Sequence, residues 1–151
     1  MARAKFQILL IPYLKKNEVI EYCIFKRKDL GIWQFIAGGG EDDEIPLEAA
    51  KREGYEEAKI DINSKYVQLK SITSISTEFF TEKHREIWGK ETLVIPEYSF
   101  SVELRSKEII IAEEHTEFIW VTYEEAKNLL KWDSNKTALW ELDNIIKMSL
   151  L

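Results

Sequence analysis

The chain has 151 residues, 45% of them hydrophobic, which suffices for a globular core and favours one domain spanning 1–151. Its net charge of −6 excludes general electrostatic attraction to nucleic acid or to an anionic membrane. No stretch approaches the ~20 apolar residues of a membrane span, and the single cysteine, Cys23, excludes an intrachain disulfide. The N-terminal apolar run contains Pro12, lacks a small-residue cleavage site and is followed by charge. It does not read as a secretory signal, so the expected location is cytoplasmic.

In chain order, Phe6 to Leu14 reads as a buried strand, and Lys15-Lys16-Asn17-Glu18 as a turn. Val19 to Phe25 completes a hairpin. Cys23 falls in this second strand, where a buried inert thiol is expected. Lys26, Arg27 and Lys28 follow in a row. They form either a solubilising strand end or a cationic edge that meets phosphate, with Arg27 the better fork. Asp29-Leu30-Gly31 turns the chain into a short strand, Ile32 to Ala37, in which Trp33 is either core or the wall of an aromatic pocket.

The next stretch organises the rest. Gly38-Gly39-Gly40-Glu41-Asp42-Asp43-Glu44 is a glycine-rich acidic loop. Pro46 suits the first helical turn, and Leu47, Ala50, Gly54 and Ala58 make a narrow small-sided stripe at helical spacing. Glu53 and Glu57 lie one turn apart on one face, with Glu56 beside them. Like charges at this spacing destabilise a helix by a few tenths of a kcal/mol per pair, and a mid-helix glycine costs ~1 kcal/mol more. A divalent cation between the carboxylates removes the first objection, and Mg²⁺ is the natural candidate, being hard and oxygen-seeking.

Beyond this helix, Tyr66 to Ser76 reads as a strand. Residues 77–90 read as a long polar and aromatic loop in which His84 and Arg85 could contact substrate. Thr92 to Leu104 reads as a strand with an edge or bulge at Pro96. Glu113-Glu114-His115 precedes a strand over Thr116 to Val121. Thr122-Tyr123-Glu124-Glu125 is a capping box for a helix to Leu130. Ser134 or Asn135 is expected to cap a last helix with Ala138, Leu139, Leu142, Ile145 and Ile146 on its apolar face.

Gly38, five residues, Glu44, seven residues, Arg52-Glu53, two residues and Glu56-Glu57, ending at Ile60, match the Nudix box. The chain therefore resembles the Nudix hydrolases. The resemblance implies an α+β fold, an α/β/α sandwich with a mixed sheet between helices. It implies Glu53 and Glu57 as principal Mg²⁺ ligands, with Mn²⁺ as an alternative ion. Glu56 and the Gly38 carbonyl would be further ligands. It implies an ion pair of Arg52 with Glu44 that ties loop to helix, with Arg52 off the carboxylate face. Glu56, Glu113 and Glu114 are the candidates for general base. Two positions depart from the pattern. Gly54 stands for an aliphatic residue, which weakens the stripe, and Lys59 stands for the glycine that suits a left-handed helix end.

Within the family, the chain looks most like the dihydroneopterin triphosphate pyrophosphohydrolases of folate synthesis. That likeness rests on Lys26-Arg27, Trp33-Gln34, Glu114-His115 with Phe118-Ile119-Trp120, and Trp132 with Ser134-Asn135. It implies Glu114 as a metal-serving acid and a substrate site drawn from Lys26, Arg27, Trp33, His84, Arg85 and Asn135. The implied reaction converts 7,8-dihydroneopterin triphosphate to the monophosphate and pyrophosphate. A nucleoside triphosphate or dinucleoside polyphosphate pyrophosphatase of loose specificity is the alternative within the class. A non-catalytic nucleotide-binding module is the alternative outside it. The implied partner is a small di- or triphosphate, with no nucleic acid and no membrane. The sequence does not specify the oligomeric state.

Overall fold

A computed structural model describes residues 2–113 and 115–151. Its elements run β1 (Arg3–Lys16), β2 (Val19–Arg27), β3 (Trp33–Gln34), β4 (Ile36–Glu41), α1 (Pro46–Ala58), β5 (Lys65–Ser76), α2 (Glu82–Trp88), β6 (Val94–Glu103), β7 (His115–Val121), α3 (Tyr123–Leu129) and α4 (Asp133–Lys147). The result is the expected mixed sheet flanked by helices.

The long first strand divides the sheet. Its end, Tyr13 to Lys16, pairs antiparallel with β2, whereas Arg3 to Leu10 pairs antiparallel with β4. On its other side Gln7 to Tyr13 runs parallel to β6, and β6 pairs in turn with β5. β2 pairs with β3 and β7. Pro96 causes no break, because it pairs towards β5 and lies one residue ahead of the β1 ladder, which begins at Glu97.

Strand alternation sends successive side chains of β1 to opposite faces. Ile8 and Leu10 join Phe25, Ile36, Ala49, Ala50, Ala58 and Phe100 beneath α1. Leu9 and Ile11 join Tyr22, Phe35, Leu69, Leu139 and Leu142 beneath α3 and α4. A buried polar tie fixes α4, since Tyr22 Oη donates to Asp143 Oδ1 at 2.6 Å and Lys147 Nζ lies 2.7 Å from Asp143 Oδ2. β5 is the outer strand, and its register shifts between Gln68 and Ile72. There the Glu141 carboxylate accepts the backbone N–H groups of Lys70 and Ser71 and the Ser71 hydroxyl.

Three local expectations are corrected. Residues 77–90 are not a plain loop. Ser76 opens a 3₁₀ turn, and Thr81 caps α2 by accepting the His84 N–H. Helix α4 starts at Asp133 with Trp132 at its N-cap, so neither Ser134 nor Asn135 caps it. Gly54 does not weaken its stripe. A Cβ there would lie 2.5 Å from Tyr66 Oη and 3.0 Å from a Leu10 methyl, so the glycine lets α1 approach the sheet.

The capping box at Thr122 is present, with the Glu125 N–H donating to Thr122 Oγ1 and the Glu125 carboxylate accepting the Thr122 N–H. Lys59 takes the left-handed conformation at φ 56°. It still closes α1 as a glycine would, with Lys59 N–H donating to Tyr55 O and Ile60 N–H to Gly54 O.

Candidate active site

The site is built where β4 runs into α1. Ile45 has no side-chain oxygen to cap the helix, so its own N–H is taken by the Glu48 carboxylate at 2.9 Å. The loop before it is held by Glu44, whose carboxylate accepts the Glu41 N–H at 2.8 Å. Arg52 grips Glu44 with both arms of its fork, at 2.8 and 3.0 Å, and reaches the Gly39 carbonyl at 2.8 Å. Hydrogen bonding from Arg52 holds the Glu44 carboxyl below the usual range.

Arg52 does not stay clear of the carboxylate face. Its Nη1 lies 3.0 Å from Glu53 Oε1 and 3.1 Å from Glu56 Oε2. The sequence placed this residue off that face by angular position, but a long guanidinium spans the angle.

Glu53 and Glu57 lie on the buried side. Gly38 has no Cβ because the Glu53 carboxylate occupies that space. Burial, and then the charge of Glu57, push the Glu53 carboxyl up to about 8. Glu57 is 5% exposed, and its Oε1 lies 3.1 Å from His115 Nε2. His115 packs on Phe25 with ring centroids 5.2 Å apart. The segment ahead of β7 closes over the end of α1, with the Ala112 N–H donating to the Glu57 carbonyl at 3.0 Å. A buried carboxylate beside a half-buried one whose proton affinity it raises fits a hard divalent cation, which removes their repulsion. Among the described residues no three His, Cys, Asp or Glu side chains converge as a metal-binding group. Glu56 is turned towards Arg52, Glu113 is exposed, and Glu114 lies outside the described residues.

The remaining sequence candidates are scattered. Arg27 is gripped by Asp29 in its own turn, at 2.9 and 2.5 Å, so its fork is engaged locally. Lys26 sits 5.8 Å from the Trp33 ring centroid and 3.9 Å from Glu117. Trp33 is half-buried, and its carbonyl accepts the Lys131 N–H. Asn135 is 3% exposed, and its Oδ1 accepts the Phe35 N–H at 2.9 Å, so it pins α4 to the strand beside β4 and does not face ligand with that oxygen. His84 stacks on Trp88 and shares a 3.1 Å contact with Thr81, while Arg85 is exposed on α2.

One cation was missed. Arg3, at the start of β1, fills the space a Gly39 side chain would need. It lies 5.2 Å from the Phe80 ring centroid, and its Nη2 donates to Gln7 Oε1 at 3.0 Å. Its carbonyl accepts Trp88 Nε1 at 2.7 Å. Arg3 feels the charges of Glu53, Arg52 and Glu41, which places it beside the carboxylates on the other face of the sheet. Its distance in sequence from the box hid it. The strand register that pairs Arg3 with Glu41 reveals it.

The box, the sandwich and the paired carboxylates define a class. The NUDIX domain family matches residues 11–140, and the chain belongs to that family. It is a Nudix pyrophosphohydrolase, a hydrolase acting on phosphoric anhydride bonds, and the family generally uses divalent metal ions. In sequence it is 29% identical over 134 residues to the dihydroneopterin triphosphate diphosphatase of Haemophilus influenzae, covering 87% of this chain and 83% of that one. In structure it matches a Nudix hydrolase of Listeria monocytogenes with a TM-score of 0.86 and 41% identity over 95% of both chains. The dihydroneopterin triphosphate pyrophosphohydrolase of E. coli superposes with a TM-score of 0.75, 21% identity and coverage of 95% and 99%. No helix among the described residues is long and apolar enough to cross a membrane.

Proposed function

We propose that the chain is a single catalytic domain that hydrolyses 7,8-dihydroneopterin triphosphate to the monophosphate and pyrophosphate. The observation that carries the chemistry is the neighbouring Glu53 and Glu57, with Glu57 buried and Glu53 set against Gly38. These two carboxylates are the proposed Mg²⁺ ligands, with Mn²⁺ able to substitute and with Glu56, Glu114 and the Gly38 carbonyl completing the set. Mg²⁺ held there supplies charge neutralisation at phosphate oxygens and activation of water. Arg52 and Glu44 fix the loop and the helix relative to each other. Arg3 adds positive charge on the opposite face of β4, beside Gly39. His115, by its contact with Glu57, sets the direction of that carboxylate. The pterin reading draws support from the Haemophilus relative's name and from the aromatic ring of Phe80 beside Arg3.

The test is pyrophosphate release with Mg²⁺ from dihydroneopterin triphosphate, run beside nucleoside triphosphates, dinucleoside polyphosphates and ADP-ribose. Glu57→Gln serves as the control. Preference for the pterin is the expected result. Preference for another triphosphate overturns the substrate and leaves the anhydride chemistry. Binding without turnover of any substrate overturns the catalytic reading in favour of a nucleotide-binding module.

A further inference from the structure

A buried carboxylate remains that the metal chemistry does not use. Glu97 is 5% exposed and sits on β6 directly beside Gln7 of β1. Its Oε2 accepts Gln7 Nε2 at 3.0 Å, while Gln7 Oε1 accepts Arg3 Nη2. Burial raises its carboxyl above the usual range, against the smaller effect of Gln7. No cation lies within salt-bridge distance of it among the described residues.

The register shows what surrounds it. Gln7 pairs with Gly39 on one side and with Glu97 on the other, and Glu97 pairs with Thr73 of β5. The next row holds Ala37, Leu9 and Ser99. These side chains share the sheet face opposite α1, as Arg3 does. Deeper along this face lies the apolar core of Leu9, Ile11 and Leu69. Near Gly39 it turns into a floor of small and polar groups. Gly39, Ala37, Gln7 and Thr73 are only half-buried, so the floor opens to solvent around a carboxylate that is itself nearly covered. Phe80, stacked edge-on against Trp88, walls one side beside Arg3. Glu97 lies two strands from β4, a distance of about 10 Å across the sheet. That separation fits a ligand whose ring lies on the floor and whose phosphates reach Arg3 and the β4 edge at Gly39, with Glu53 on the far side of that edge.

A nearly covered carboxylate that keeps its acceptor capacity selects a ligand edge made of donors. We infer that Glu97 is a specificity residue that reads a heterocycle edge carrying a ring N–H beside an exocyclic amino group. Pterins and guanine present that edge, whereas hypoxanthine lacks the amino group and adenine lacks the N–H. Gln7 holds the carboxylate in place and links it to the phosphate-side Arg3. This deepens the proposed function and rests on its placement of the phosphates.

The first test needs no variant. Wild-type kcat/KM is compared for GTP and ITP, which differ in the amino group, and affinity for GMP and IMP is measured by calorimetry. A preference of at least about tenfold for the amino-bearing member is expected, the size of a hydrogen bond to a charged group. Glu97→Gln then lowers the rate on GTP and collapses the ratio towards one, with circular dichroism verifying the fold. Equal treatment of the two ligands by the wild type overturns the inference, as does a preference that survives in Glu97→Gln. A purely structural Glu97 would lower both members alike and leave the ratio standing, which also overturns it. If no triphosphate is hydrolysed, the proposed function fails by itself. The GMP and IMP affinities then still decide the edge reading, with absent or equal binding counting against it.

Discussion

The two flanks of α1 carry opposite electrostatic designs. On the loop flank Arg52 meets Glu44, Glu41, Glu53 and Glu56, and positive charge is matched by surrounding carboxylates and a carbonyl. On the buried flank Glu53 and Glu57 lie one turn apart, and burial with the charge of Glu57 raises the proton affinity of Glu53. The first flank is complete without a ligand and behaves as scaffold. The second gathers carboxylates, and the proposed cation with its phosphates would sit against them. A helix assembled for stability would distribute these groups evenly. Their segregation separates the part that holds shape from the part that reacts.

The comparison breaks first at Glu57. Glu57→Gln is expected to lower turnover by ~10³-fold, the loss of several kcal/mol of charge stabilisation, with the fold retained by circular dichroism. Loss of folding instead would make Glu57 part of the scaffold. Arg52→Gln should do the reverse. It leaves Glu44 without its fork, so unfolding in urea should show a loss of ~2 kcal/mol, and activity falls as the loop loses its anchor.

A pH series sharpens the contrast. The Glu53 carboxyl binds its proton more tightly when folded, so in metal-free protein its contribution to stability is present below about 4.5, the ordinary value, and is lost as pH rises towards about 8. Thermal melts in chelator should therefore fall with rising pH over this window, and Mg²⁺ should restore most at the alkaline end. A metal-free melting curve that rises towards pH 8 would contradict the buried carboxylate pair.

Two smaller effects bound the site. Lys59→Gly should stabilise by up to ~1 kcal/mol, because φ 56° costs a side chain more than it costs glycine. Arg27→Ala should change kcat/KM by less than about threefold, since Asp29 already engages the guanidinium and exposed pairs contribute ~0–1 kcal/mol. A large loss in Arg27→Ala would return that residue to the phosphate site.

The box and its helix were legible because their signal is local: spacing along one helix states which carboxylates share a face. The hairpin, the capping box at Thr122 and the apolar face of α4 were legible for the same reason. What the sequence hid depends on register between distant segments. Arg3 reaches Gly39 because β1 pairs with β4, and Glu97 reaches Gln7 because β6 lies parallel to β1. Gly54 looked like a weakness until Tyr66, from another strand, came to rest on it. Asn135 looked available for a ligand because its partner, the Phe35 N–H, lies 100 residues away. Helix α2 escaped because its seven residues sit in a polar stretch whose cap, Thr81, is visible only beside His84.

The Glu141 carboxylate on β5 bears on how the molecule behaves in a crowd. An outer strand offers its backbone to any other strand that drifts past, and long unblocked edges seed aggregates. Glu141 occupies two N–H groups at the irregular middle of that edge and leaves a negative charge over them. An incoming chain would have to displace a carboxylate before it could add to the sheet. The same side chain that seats α4 thus guards the sheet against unwanted extension, and its removal should show in colloidal stability at high concentration before it shows in catalysis.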